Sequence, residues 1–249
     1  MPCHAAVSGD QQLIQIVDAA LADSVRRSGK WLACRPGCSQ CCVGAFAINQ
    51  LDAARVRAGL EELERQDPER AIRVRARVNA YVTRLADGYP GDPRTGVLDE
   101  SEEASQRWDD FANDEPCPVL DPGTGTCDLY HSRPMTCRTF GPPLMSDGEL
   151  GVCELCFDGV TDEEVAACEI HPDPDHLEAV VLKELEKSTH TSGNTIVGFA
   201  LACQSSTIAP SLSHRQPRVT DFSTYPLPGG KDTLSCAESG EGSAPSARR

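Results

Sequence analysis

Cysteine usage constrains this chain more than any other feature. Thirteen of its 249 residues are cysteine, well above ordinary usage. Ten of them fall into three groups: Cys34, Cys38, Cys41 and Cys42; Cys117, Cys127 and Cys137; and Cys153, Cys156 and Cys168. Cys3, Cys203 and Cys236 lie apart from these. In "CRPGCSQCC", Pro36-Gly37 turns the chain so that several sulfurs converge. "CELC", from Cys153 to Cys156, has the knuckle spacing by which two thiolates grip one tetrahedral ion.

Disulfides fit this pattern poorly. Adjacent Cys41 and Cys42 cannot pair with each other without strain. The start "MPCHAAVSGDQQLIQIVDAA" has no basic region and no continuous apolar run, so it does not read as a signal peptide. The expected location is cytoplasmic, where disulfides do not accumulate. Ten thiolates exceed the four that one zinc ion takes, and suit two sites or one cluster plus spare cysteines. Four thiolates around a divalent ion or a 4Fe–4S core leave a negative centre, which favours nearby cations and N–H donors. Arg35, Arg133 and Arg138 each stand within a few residues of a cysteine, and they are assigned that supporting role.

The rest of the chain is acidic, with a formal net charge of −15. That argues against nucleic acid, because phosphate binding needs a basic face. No run of apolar residues is long enough to span a membrane. Between Leu98 and Asp128 ten acidic side chains face one base, Arg107, which reads as a solvated loop or as a surface for a basic partner.

Helical patterns dominate. Ser8-Gly9-Asp10-Gln11 has capping-box form, followed by Leu13, Ile14, Val17, Leu21 and Val25 on one face. Asn49 caps a second helix. Asp67-Pro68 starts a third, with Ile72, Val78, Tyr81, Val82 and Leu85 on one stripe. That third helix is rich in arginine, and pairing with the acid-rich helix before it is expected. Thr161 caps a short helix and Asp173-Pro174 begins a last one, while "NTIVGFALA" reads as a closing strand. The expected fold is mainly α with irregular metal-binding loops, a small α or α+β domain organised by a cysteine-ligated centre. Its divisions are an N-terminal helix over 1–30, a cysteine-cluster domain over 31–203 with a helical insertion at 49–115, and a disordered tail over 204–249.

"CPVLDPGTGTCDLYHSRPMTCRTFGPP" reads C-P-x-L-D, then C-x2-Y-x2-R-P-x2-C-R-x-F. With the upstream C-x3-C-x2-C-C, it resembles the YkgJ-type cysteine-cluster family, a zinc- or iron-chelating domain that the flagellin lysine N-methylases also resemble. The resemblance runs from Cys34 to Cys156 or Cys168. It implies metal ligation by Cys34, Cys38, Cys41, Cys42, Cys117, Cys127 and Cys137, with one or more of Cys153, Cys156 and Cys168. Within the motif, Pro134 is expected to stiffen the approach to Cys137, Tyr130 and Phe140 to wall the site from water, and Arg138 to donate to sulfur.

The C-x3-C-x2-C spacing is also that of radical S-adenosylmethionine enzymes. Here Gln40 stands where an aromatic usually precedes the third cysteine, and helices rather than a βα barrel follow. His131 and His171 are close to cysteines but are assigned to surface or core, since thiolates are in excess. No phosphate-binding loop, dinucleotide fingerprint or serine nucleophile motif occurs. Three readings follow. One is an iron–sulfur protein, 4Fe–4S being favoured, acting in redox with a protein partner. Another is a zinc-bearing interaction module. The third is a protein lysine N-methylase-like enzyme with a protein substrate. More than eight thiols tilt the balance toward iron–sulfur.

Overall fold

The computed structural model describes residues 2–202 apart from 147–148; side chains are described for 9–145 and 150–202. The expected tail over 204–249, Cys203, Cys236 and the side chain of Cys3 lie outside the described residues. Eight α-helices and three two-stranded hairpins make up the described chain, so the fold is mainly α.

The scaffold is a three-helix unit of α2 (Gln50–Gln66), α3 (Pro68–Leu85) and α8 (Val197–Ala202). One residue joins the first two. Asp67 N–H donates to Leu63 O at 2.7 Å, ending α2, while its carboxylate accepts from Arg70 N at 3.0 Å, starting α3. Pro68 at the first helical position fits because its missing N–H would be unsatisfied there anyway. Ala71, Val74, Val78 and Tyr81 recur at helical spacing; the first three are buried with Val56, Leu60 and Leu63, and Tyr81 with Tyr89, Ile196 and Phe199. Ile72 falls one position off that stripe and is 67% exposed, contrary to the expected inward face.

The segment expected as a closing strand is a strand for one residue only. Thr195 bridges Ile48 in antiparallel fashion, and Val197–Ala202 then turns helical. A short, wholly apolar run does not distinguish a buried strand from a buried helix. α8 approaches α3 so closely that a Cβ on Gly198 would lie 2.5 Å from the Tyr81 ring. Tyr89 stacks on Phe199 at 3.9 Å and meets Phe111 edge-on at 5.8 Å, closing that end of the core.

α1 (Pro2–Ser28) begins before the capping-box residues, which are therefore interior to it. It packs against α7 (Leu177–Thr189), with Leu13 and Val17 meeting Leu51 and Val181. α7 starts where the Asp173 carboxylate accepts from Leu177 N and Glu178 N at 2.8 and 2.9 Å, while Val180 faces solvent. Between these helices run the hairpins β1 (Gly91–Asp92) with β2 (Val97–Leu98), β3 (Leu120–Asp121) with β4 (Thr126–Cys127), and β5 (Leu144–Ser146) with β6 (Glu149–Gly151). The short helices α4 (Glu102–Trp108), α5 (Met135–Thr139) and α6 (Asp162–Ala166) punctuate them, the last with a full capping box on Thr161 and Glu164. No helix among the described residues is long and apolar enough to cross a membrane.

Candidate metal centre

Two separate gatherings of sulfur emerge from the three sequence groups. The larger takes Cys41, Cys42, Cys117, Cys127 and Cys137. Backbone pairing makes it: Val43 bridges Pro116, Cys117 N donates to Cys42 O at 2.7 Å, and Gly44 N donates to Glu115 O at 3.0 Å. The chain then folds back through β3 and β4, where Cys127 is in register with Leu120 and Leu120 N donates to Cys117 O at 3.0 Å. Cys137 arrives on α5, whose first N–H, at Met135, donates to the Asp52 carboxylate at 2.9 Å.

The smaller gathering takes Cys34, Cys38, Cys153 and Cys156. Phe157 N donates to Trp31 O at 2.8 Å and Ala33 N donates to the Cys156 sulfur at 3.3 Å, laying the "CELC" knuckle along the irregular segment before Cys34. Phe157 takes a left-handed φ of 62° to close the knuckle. Gly141, at φ 119°, leaves room for Cys34: a Cβ there would lie 2.6 Å from its sulfur. Gln40 donates to Glu154 at 2.8 Å, tying the two turns together. Cys168 is buried in the same apolar cluster as Cys153 and Cys156, beside Trp31, Phe157 and Val165, and its carbonyl accepts from Ser24 at 2.5 Å.

The electrostatics follow the same division. Burial, with the neighbouring sulfurs of Cys156, Cys38 and Cys153, pushes the Cys34 thiol up to about 12. Burial likewise raises Cys153, with Cys156 and Cys38 adding. In the larger group burial pushes Cys117 up to about 12 and raises Cys127 and Cys137. Cys41 is the exception. A hydrogen bond from Cys42, aided by its own backbone and by Arg133, pulls it down to about 6, while Cys42 is raised because it keeps the shared proton.

The three supporting arginines sit in different surroundings. Arg35 is exposed. Arg138 is buried and donates through its two terminal nitrogens to Asp18 at 2.6 Å and to His131 O at 2.8 Å, while its Nε has no hydrogen-bond partner among the described residues. The cation that acts on Cys41 and Cys127 is Arg133, stacked 4.0 Å over the Tyr130 ring. Its Nε is buried with no hydrogen-bond partner among the described residues. Tyr130 and Phe140 are each 47% exposed, so they edge the site rather than seal it. Pro134 is buried at the N-terminus of α5, as expected of a residue that sets the approach to Cys137.

Two acidic residues hold the larger group in place, and neither was singled out from sequence. Asp128, next to Cys127, has a 2% exposed side chain and is bound by both Arg70 and Arg77 of α3. Asp52 is bound by Arg55, which also holds Asp10 of α1, with an Nε–carboxylate distance of 2.8 Å. Of the α3 arginines only Arg75 pairs with α2, at Glu64; Arg84 pairs with Glu115 at 3.1 Å. The acidic segment is therefore in part a set of partners for α3.

A cleft of about 470 Å³ is lined by Cys41 and Cys137 of the larger group and Cys153 of the smaller, together with Phe46, Phe140 and Val152. Among the described residues no group of three or more His, Cys, Asp or Glu side chains is arranged to hold a metal ion as it stands. The donor chemistry nevertheless fits a thiophilic metal: nine thiols in two sets, and a buried guanidinium N–H left without a partner beside the larger one.

Fold and site together describe a mainly helical domain that carries nine thiols in two sets. The chain matches the CxxCxxCC family model, described as "Putative zinc- or iron-chelating domain", over residues 33–178, and it belongs to that family. Searches of curated proteins and of solved structures found no match. α1 lies before the matched segment and α8 after it.

Proposed function

We propose that this protein is an iron–sulfur protein whose cluster is held by the five-thiol group and which exchanges electrons with a protein partner. The observation that carries the reading is the gathering of Cys41, Cys42, Cys117, Cys127 and Cys137, with Arg133 acting on Cys41 and Cys127. A single zinc ion takes four thiolates, and a fifth thiol with an adjacent pair suits a polynuclear centre. When bound, such a cluster supplies one-electron chemistry. The chain's own contribution is distinct. Cys41 is the first thiolate, Asp52 and Asp128 fix the segments carrying Cys137 and Cys127, and Arg133 offsets negative charge on sulfur. The half-exposed Phe140 and Tyr130 leave an edge through which a redox partner approaches.

Anaerobic reconstitution with iron and sulfide, followed by reduction with dithionite, tests the proposal. A broad visible charge-transfer band should appear and bleach on reduction. Cys117→Ser with Cys127→Ser should abolish it, and Cys168→Ser should retain it. Metal uptake with no sulfide-dependent absorption overturns the reading.

A further inference from the structure

We propose that the cleft beside the thiols is the docking site for a segment of a partner protein, which inserts one apolar side chain and sets a lysine or arginine on Glu154. The purpose of the contact rests on the reading of the five-thiol group as an electron-transferring centre. The docking itself needs no cluster.

The first argument is where apolar surface is left uncovered. Single exposed hydrophobic side chains are ordinary on a protein, whereas several gathered in one place mark a contact site. Eight large hydrophobics are exposed among the described residues, and three of them, Val43, Phe140 and Val152, line this one cleft at 40–49% exposure. Leu155, also exposed, directly follows Glu154 on the rim, and Phe46 completes the apolar wall. At about 470 Å³ the cleft falls in the range of pockets that enclose a side chain or a small ligand, about 300–1,000 Å³. It is also held open in advance. Gln40 Nε2 donates to Glu154 Oε1 at 2.8 Å, which ties the turn carrying Cys41 to the knuckle carrying Cys153 and sets the width before any partner arrives.

The second argument is charge. Glu154 lines the cleft as its one carboxylate, and among the described residues no lysine, arginine or histidine lines it. Gln40 engages only one oxygen of that carboxylate, and the other has no partner among the described residues. Exposed Asp114 extends the same sign alongside, next to the Glu115 carbonyl that accepts from Gly44 N. An apolar cavity with a carboxylate at its lip, on a chain of net charge −15, selects a cationic partner and repels an acidic one. A second copy of this chain brings its own acidic rim to the contact, so self-association is disfavoured. The third argument is position. Cys41 and Cys137 of the five-thiol group line the same cleft, so a side chain seated there lies against the sulfurs of the proposed centre and covers them from water.

The probe is a library of fluorescent hexapeptides with Phe, Tyr, Trp, Leu or Met at the two central positions and lysine on both flanks, beside the same library with glutamate flanks. Fluorescence polarisation reads their binding to the full-length chain purified without oxygen. Lysine-flanked members should bind about tenfold or more tightly than their glutamate-flanked counterparts, and binding should weaken as salt is raised. Phe140→Asp and, separately, Val152→Asp should each weaken binding by about tenfold or more with native circular dichroism kept. Ile72→Asp, at an exposed apolar position on α3, should leave it unchanged. Glu154→Gln should erase the preference for lysine flanks. Absence of binding by every lysine-flanked peptide, equal binding of the two libraries, or unchanged binding in both cleft variants overturns the proposal, as does an equal loss in Ile72→Asp. A wild-type dimer that Phe140→Asp dissociates also overturns it, by assigning the cleft to a second copy. Peptide binding without a sulfide-dependent band defeats the cluster reading alone, and a normal band without peptide binding defeats the docking site alone.

Discussion

Replacing Arg55 with methionine should expose how the helical scaffold holds the thiols. Arg55 has a side chain 6% exposed and lies between two carboxylates, Asp10 of α1 at 12% and Asp52 of α2 at 4%. Without the guanidinium, two buried carboxylates face each other with no counter-charge. Breaking a buried ion pair on one side costs about 3–5 kcal/mol, against a total stability of about 5–15. For a domain of this size the melting temperature should fall by roughly 6–20 °C. The pH dependence has a definite sign. Burial already raises the Asp52 carboxyl, against the opposing pull of Arg55 and of the Met135 N–H. A group raised in the folded state makes the fold bind more protons than the unfolded chain, so stability falls as pH rises through that interval. Removing the cation raises Asp52 further, so the variant's deficit should be greater near about pH 7 than near about pH 5. Substituting all three positions as Asp10→Asn, Asp52→Asn and Arg55→Met should recover much of the loss, because asparagine keeps an acceptor for Met135. Urea denaturation followed by circular dichroism at the two pH values provides the measurement. A deficit below about 1 kcal/mol, or one equal at both pH values, refutes the reasoning.

Three further outcomes follow from the same geometry. Asp128→Asn should destabilise by about 1.5–3 kcal/mol, as expected for lost charge-assisted bonds, and should lower metal content at the five-thiol group; unchanged metal content would contradict it. Gly141→Ala should displace the Cys34 sulfur, 2.6 Å from the added Cβ, and lower the metal content of the chain while the helical circular dichroism is kept; unchanged metal content would contradict it. For the reduced, metal-free chain, Cys34 and Cys117 are each pushed by burial up to about 12 from an ordinary 9.0. The folded state then binds more protons in that interval, so the urea midpoint should fall as pH rises through it, and a flat or rising midpoint would count against the buried thiols.

The helical character, the capping residues Asn49, Asp67 and Thr161, and the family membership were all legible in the sequence, because each is written in local spacing. What was not legible is non-local. The arginines of α3 suggested pairing with the acid-rich helix directly before them in sequence, yet Arg70 and Arg77 cross to Asp128. Nothing in the residues around Cys127 signals that partnership. Arg138 directly follows Cys137 and still donates to Asp18, since α5 presents these two consecutive residues in different directions. The run ending in "GFALA" is apolar on all sides, and periodicity offers no decision between strand and helix. The splitting of "CRPGCSQCC" between two gatherings of sulfur depends on where residues 116–157 fold back, which spacing alone does not encode.

The central claim is that the five-thiol group holds an iron–sulfur cluster. Metal and acid-labile sulfide analysis of the full chain purified without oxygen, together with its absorption spectrum, tests this most directly. The account predicts iron with comparable sulfide. Zinc alone, without iron or sulfide, would contradict the cluster at the five-thiol group and reduce the protein to a structural zinc module.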